Sequence, residues 1–220
     1  MRLLIYAMQS SGASSFCYVL GQRPDSVAVV DVWSRGVTPF IETPHPVVAK
    51  ATVNMILSID DHVASFRPDR TILFVRDPVA TYASLAKYDY ANRFGTIDEK
   101  MARCDAEFAQ SARYDAVLRY EDFVSRDLGV LAKLAELGWP CEASWYDGPR
   151  DLRAIHAFNC AASPWLARHW NDGWGFGNIR PGPIRTGLAR RPGRPDIAAH
   201  VAELSPALSA HYAEYWKGVA

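Results

Sequence analysis

Residues 2–16 read RLLIYAMQSSGASSF. The first six form a short, largely apolar run bounded by small residues, which predicts a strand buried on both faces, as in a parallel sheet. The chain then empties into small residues around Gly12, and from Ser14 the pattern FCYVLG suits a helix ending near Gly21, with Pro24 blocking its continuation. Strand, glycine loop and helix form the opening unit of an alternating chain. Small residues after a strand also make an ordinary tight turn, so what the loop holds depends on what else comes to it.

Working outward, the same alternation repeats. SVAVVDVW (26–33) reads as a second strand, and HPVVAK (45–50) as a third strand or a strand-to-helix junction. Met55, Ile56, Ile59, Val63 and Phe66 have helical spacing across 54–66. TILFVRDP (71–78) is the strongest strand; Asp77-Pro78 stops it, and proline suits the first turn of the helix carrying Val79, Tyr82, Ala83 and Leu85. Thr96-x-x-Glu99 is a capping box opening a helix over 96–113. YDAVLRYEDF (114–123) is a further strand, and Leu128, Leu131, Leu134 and Leu137 line a helix that stops at Gly138 before Pro140. The expected fold is α/β: a three-layer domain with a mainly parallel sheet flanked by helices and right-handed crossovers. Residues 1–220 read as a single domain. It has a core over 1–138, a loop-rich covering region with short helices over 139–195, and a closing helix over 196–216 that packs Ile197, Val201, Leu204, Leu208 and Tyr212 on the body.

Composition narrows the function classes. With 49% hydrophobic and 22% charged residues over 220 positions, the chain is ordinary globular material. Lys+Arg and Asp+Glu cancel at 24 each, so no general basic field draws the chain to nucleic acid or an anionic membrane. Charge for an anion must therefore be local, and lysine is scarce: Lys50, Lys87, Lys100, Lys133 and Lys217 are the five. Cys17, Cys104, Cys141 and Cys160 are widely spaced and lack neighbouring histidines at metal-ligand intervals, which predicts reduced, mostly buried thiols in a cytoplasmic protein. No run approaches the length of a membrane span, and no signal-peptide pattern is present.

In an α/β sheet, ligands sit at the carboxyl ends of the strands, where a helix N-terminus offers unpaired N–H groups and a dipole suited to an anion. The loop Ser10-Ser11-Gly12-Ala13-Ser14-Ser15 has that setting. It lacks the second glycine and the lysine of G-x-x-x-x-G-K-[ST], which disfavours hydrolysis of a nucleoside triphosphate. Arg76 ends a strand and Ser84 follows eight residues on, so a planar guanidinium fork and a hydroxyl can face one phosphate. Taken alone, Arg76-Asp77 could also be a structural ion pair at a strand end.

Together these segments resemble the PAPS-dependent sulfotransferases, which have a P-loop NTPase-like fold. In that family a strand-loop-helix written K/R-S-G-T-T/S holds the 5′-phosphosulfate, and a segment like R-D-P-x-x-x-x-x-S holds the 3′-phosphate. Here Ser10 to Ser15 and Arg76 to Ser84 correspond. Tyr120-Glu121-Asp122-Phe123 looks like the family's Y-E-D segment, whose tyrosine lies near the adenine, and the helix LAKLAELG behind it matches in type and place. The resemblance runs in order and spacing through residues 2–138. It implies transfer of a sulfuryl group from 3′-phosphoadenosine 5′-phosphosulfate (PAPS) to a hydroxyl of a small-molecule or glycan acceptor. The product would be adenosine 3′,5′-bisphosphate, and no metal is needed. Arg185-Thr186-Gly187, within a segment carrying five arginines and no acid between Gly175 and Pro195, is the best match to the family's late basic loop over the 3′-phosphate. A solvated arm is the other reading of that segment. Trp165, Trp170 and Trp174 precede it and could face a sugar ring or form a small loop core.

Two departures bear on mechanism. Ser10 stands where the family carries a lysine or arginine, and Lys50 resembles the second lysine that many members place between the two phosphate loops, so Lys50 is the expected electrophilic helper. Thr52 stands where some members have a catalytic histidine. Other members, acting on sugars, use an acidic residue at the end of the second strand, and Asp31 lies there or within a residue of it, so the resemblance implies Asp31 as the first choice of general base, with Glu42 and His45 in the overhanging loop FIETPHP as alternatives and His62 placed on a helix surface. A P-loop small-molecule kinase and a non-catalytic nucleotide-binding protein of the same fold are the competing readings. Oligomeric state is not legible.

Overall fold

The computed structural model describes residues 1–30, 36–146, 152–170 and 195–219. Five strands, β1 (Arg2–Ala7), β2 (Val27–Val30), β3 (Val47–Thr52), β4 (Arg70–Val75) and β5 (Ala116–Arg119), form one sheet in the order β2-β3-β1-β4-β5. Every pairing is parallel. Between them run α1 (Ala13–Leu20), α2 (Ile59–Phe66), α3 (Pro78–Leu85) and α4 (Ile97–Ala109). After β5 come α5 (Tyr120–Ser125), α6 (Leu128–Glu136), α7 (Leu152–Ala162), α8 (Pro164–Trp170), α9 (Pro195–Leu204) and α10 (Pro206–Val219).

Both faces of the sheet are covered, as the unbroken apolar strands require. Side chains alternate across a strand. Leu4, Tyr6 and Leu73 accordingly join one buried cluster with Phe66 of α2, Leu85 of α3, Met101 of α4, Val201 of α9 and Tyr212 of α10. Leu3, Ile5 and Phe74 join another with Phe16 of α1, Phe123 of α5, Leu134 of α6 and Trp139. The rings of Phe16 and Phe74 stack at 4.7 Å. The result is the expected three-layer α/β arrangement.

Strand order positions the site. The chain leaves β1 for β2 at one edge of the sheet, whereas it leaves β4 for β5 at the other. The two connections part above the carboxyl ends of the adjacent strands β1 and β4, which creates the crevice where doubly wound sheets hold ligands.

Several boundaries differ from the sequence expectation for local reasons. The segment 45–50 is the strand β3, resolving the alternative of a junction. The helix expected over 54–66 starts only at Ile59, because the Asn54 side chain accepts from the Ile56 and Leu57 N–H groups at 2.8 Å each and holds a turn. Ser58 and Asp61 then form a capping box. The strand expected over 114–123 ends at Arg119, and Tyr120 begins α5. The closing helix is two helices broken before Pro206, whose ring cannot continue the hydrogen-bond ladder. In the region after residue 139, α7 shields the sheet edge. Asn159 accepts from the Ala28 N–H at 3.1 Å and donates to the Ala28 carbonyl at 2.6 Å, occupying both exposed bonding groups of an edge-strand residue. Among the described residues no helix is long and apolar enough to cross a membrane.

Candidate functional site

The loop after β1 is built from backbone. Ser10 has φ 61° and Gly12 φ 85°, both in the left-handed region, so the chain turns sharply twice before α1. Glycine is needed at position 12 for a second reason: a Cβ there would lie 2.5 Å from the ring carbons of Tyr120. No side chain caps α1. Ser11 is buried and its Oγ accepts from the Ala13 N–H at 3.4 Å, so this hydroxyl is turned into the loop itself. Ser14 and Ser15 are half-buried in the first turn of α1.

The carboxyl end of β4 meets this loop directly. Arg76 donates from Nη1 to the Ser10 carbonyl at 2.7 Å, and its guanidinium lies 4.5 Å over the Tyr120 ring. Three segments far apart in sequence, the loop at 10–15, Arg76 and Tyr120, thus converge at the switch point of the sheet. Ser84 is half-buried about two helical turns along α3 from Asp77, and no hydrogen bond links it to Arg76 among the described residues.

Asp77 and the two acids after Tyr120 hold this end of the site in place. Asp77 caps α3 by accepting from the Ala80 N–H, and its other oxygen accepts from Trp216 Nε1 at 2.7 Å. Glu121, 3% exposed, accepts from the Asp77 N–H at 3.0 Å and from the Tyr212 hydroxyl at 2.7 Å. Burial pushes the Glu121 carboxyl above its ordinary range against the pull of these two bonds. Asp122 accepts from Arg119 Nε at 2.6 Å and from the Tyr215 hydroxyl at 3.0 Å. Tyr212, Tyr215 and Trp216 all belong to α10, so the last helix fastens the Arg76 and Tyr120 segments to each other.

The remaining candidates fall in different places. Lys50 is buried in β3, aligned with Ile5 of β1 and Val30 of β2 and hence on the face that α1 covers. His45 is a correction. It immediately precedes β3, at the strand's entry, and its ring packs edge-on against Phe158 at 5.1 Å. In a parallel sheet, entry and exit lie at opposite ends, here separated by a six-residue strand of about 20 Å, so His45 does not overhang the loop after β1. His62 is a second correction. It is 3% exposed, its Nδ1 accepts from the Thr38 N–H at 3.0 Å, and burial lowers its pKa to about 4. Trp165 stacks on His169 at 4.2 Å and packs against the core. Asp31, Arg185, Thr186, Gly187 and Trp174 lie outside the described residues, as does the side chain of Trp170. Among the described residues no three His, Cys, Asp or Glu side chains converge as metal ligands. Cys17 and Cys104 are buried, and none of the four cysteines forms a disulfide.

Sequence reasoning missed one cation. Lys100 of α4 is fully buried and donates from Nζ to Gln9 Oε1 at 3.0 Å and to the Ala91 carbonyl. Its signal was available, because Ile97, Lys100, Met101 and Cys104 share one helical stripe and only the lysine is polar.

Neither a protein-family model nor a curated protein matches this chain. Among solved structures it is similar to the crystal structure of a sulfotransferase from Alicyclobacillus acidocaldarius, at 13% identity and a TM-score of 0.43, covering 76% of this chain and 94% of that one. At that similarity the likeness says nothing about this chain's chemistry, which has to come from its own side chains.

Proposed function

We propose that the protein is a PAPS-dependent sulfotransferase, working in the cytoplasm and moving a sulfuryl group to a hydroxyl of a carbohydrate or glycoconjugate acceptor. The observation that carries this reading is the convergence of the Ser10 to Ser15 loop, Arg76 and Tyr120 at one end of β1 and β4, with the guanidinium bonded to the loop and stacked on the ring. In this reading the N–H groups at the start of α1, with Ser14 and Ser15, receive the 5′-phosphosulfate. Arg76 leaves the Ser10 carbonyl for the 3′-phosphate, joined by Ser84 and by Arg185, Thr186 and Gly187, and Tyr120 stacks on the adenine. Lys50 supplies the positive charge that Ser10 lacks as the sulfuryl group departs, and Asp31 takes the acceptor's proton; loss of turnover in Asp31→Asn with nucleotide affinity intact is the expected result. No metal is required, because the donor is already activated.

The test compares thermal shifts. Adenosine 3′,5′-bisphosphate at about 100 times its dissociation constant stabilises by about 2.7 kcal/mol, whereas ATP with magnesium gives no matching shift. A response to ATP with magnesium alone would replace this reading with a kinase. Ser10, uncharged and with its carbonyl bound to Arg76, also favours a non-catalytic nucleotide-binding protein; bisphosphate binding with no transfer in an acceptor screen is the result that selects it.

A further inference from the structure

Lys100 is out of place for a structural residue. Its side chain has no exposure, yet its hydrogen-bond partners, Gln9 Oε1 and the Ala91 carbonyl, are both neutral, and no carboxylate lies within salt-bridge range of it among the described residues. Its neighbour Glu99 bonds into the Thr96 capping box and acts on the ammonium only through space. Taking an ammonium out of water without a counterion is costly, and proteins normally avoid it by pairing the charge. Burial accordingly pushes the Lys100 ammonium below its ordinary pKa. Among the described residues, Gln9 is its bonded partner outside its own neighbourhood. Gln9 immediately precedes Ser10, whose left-handed backbone presents its carbonyl to Arg76.

We propose that Lys100 is the fixed countercharge for an anion held by the loop after β1, standing behind that loop where a cation at position 10 would stand within it. It is a positioning residue: through Gln9 it sets the loop's conformation, and its field favours a phosphate or sulfate group at the start of α1. Among the described residues no carboxylate pairs directly with this charge and only Glu99 acts on it through space, so a bound anion would add the countercharge that the fold supplies weakly. The inference rests on the proposed function only in requiring an anion at this loop; it does not require PAPS.

Two variants and two ligands separate these possibilities. Wild type, Lys100→Met and Gln9→Glu are compared by thermal shift and by titration with pyrophosphate and with adenosine 3′,5′-bisphosphate. Methionine fills the same space, so relief of the buried charge offsets the two lost hydrogen bonds, and free Lys100→Met keeps its melting temperature. Its affinity for either anion falls about tenfold or more. A Lys100→Met protein that melts lower but binds both anions like wild type would make Lys100 a structural tie and overturn the proposal. If Lys100→Met both melts lower and loses affinity, Gln9→Glu decides. Gln9→Glu gives Lys100 an internal partner, so free protein gains stability while anion affinity drops; unchanged affinity overturns the proposal. Pyrophosphate binding that depends on Lys100, in a wild type that ignores the bisphosphate, sustains this inference and sinks the nucleotide reading. A wild type that responds to neither anion overturns both.

Discussion

The two walls of the crevice are made in opposite ways. On the β1 side, the loop at Ser10 to Ser15 is shaped by two left-handed residues and carries no helix-capping side chain. On the β4 and β5 side, three acids, Asp77, Glu121 and Asp122, are each satisfied by a backbone N–H, an arginine or an aromatic donor of α10. The first wall leaves the start of α1 without a side-chain cap; the second spends its acids on holding still. The donors fix the three carboxylates in place and turn their lone pairs away from the loop, which is the arrangement the proposed anion would need of acids so close to it.

The largest effect should come from the second wall. Glu121→Ala leaves the Asp77 N–H and the Tyr212 hydroxyl buried without an acceptor, at a cost of about 3–5 kcal/mol in urea denaturation, and it should also abolish the bisphosphate shift because Arg76 loses its support. If stability falls and binding survives, the two walls are independent and the contrast is broken. Acid should then divide the walls by sign. His62, whose ring lies 6.0 Å from that of Tyr6 on β1, has its pKa lowered from 6.5 to about 4. Over that window the unfolded chain takes up a proton that the folded one refuses, so stability drops by about 3 kcal/mol as pH falls through it, a slope absent from His62→Gln. Glu121 runs the other way: its raised pKa means the folded state binds the proton more tightly, so its contribution grows as pH falls through that pKa, and Glu121→Gln should remove this gain.

Smaller effects probe the joint between the walls. Gly12→Ala places a Cβ against Tyr120 in a left-handed position, costing about 2 kcal/mol in melting experiments and displacing the ring from Arg76. Tyr212→Phe removes one bond to Glu121 and should cost about 1.5 kcal/mol by the same measurement. Arg76→Lys should change stability least, by under about 1 kcal/mol, while weakening bisphosphate binding about tenfold through loss of the planar fork. A lysine that binds as well as arginine would show that the stacking on Tyr120 is incidental.

What the sequence disclosed follows the range over which each feature is encoded. Four of the five strands were legible as local apolar runs, with β3 left open between a strand and a junction, and α4 was legible because Thr96 and Glu99 cap each other within one turn. Arg76 and Tyr120 were legible as motif residues, but their stacking was not, because it depends on strand order. His45 misled because a loop between two strands touches both ends of a parallel sheet, and only register tells which end a residue occupies. His62 misled because the helix starts at Ile59, a shift that turns its face inward. The role of α10 was invisible: Tyr212 read as part of an apolar stripe and Tyr215 and Trp216 carried no signal, while the polar tips of all three find acids far away in sequence.

The break before Pro206 sets α10 apart from α9, and it gives the site a history as well as a shape. During synthesis all five strands have been made once Arg119 is in place, so the sheet can form early, with Asp77, Glu121 and Asp122 still lacking the donors of α10. The sheet can therefore stand complete before the helix that ties the Arg76 and Tyr120 segments together, so removing residues 206–219 should leave the scaffold folded and loosen that end of the crevice.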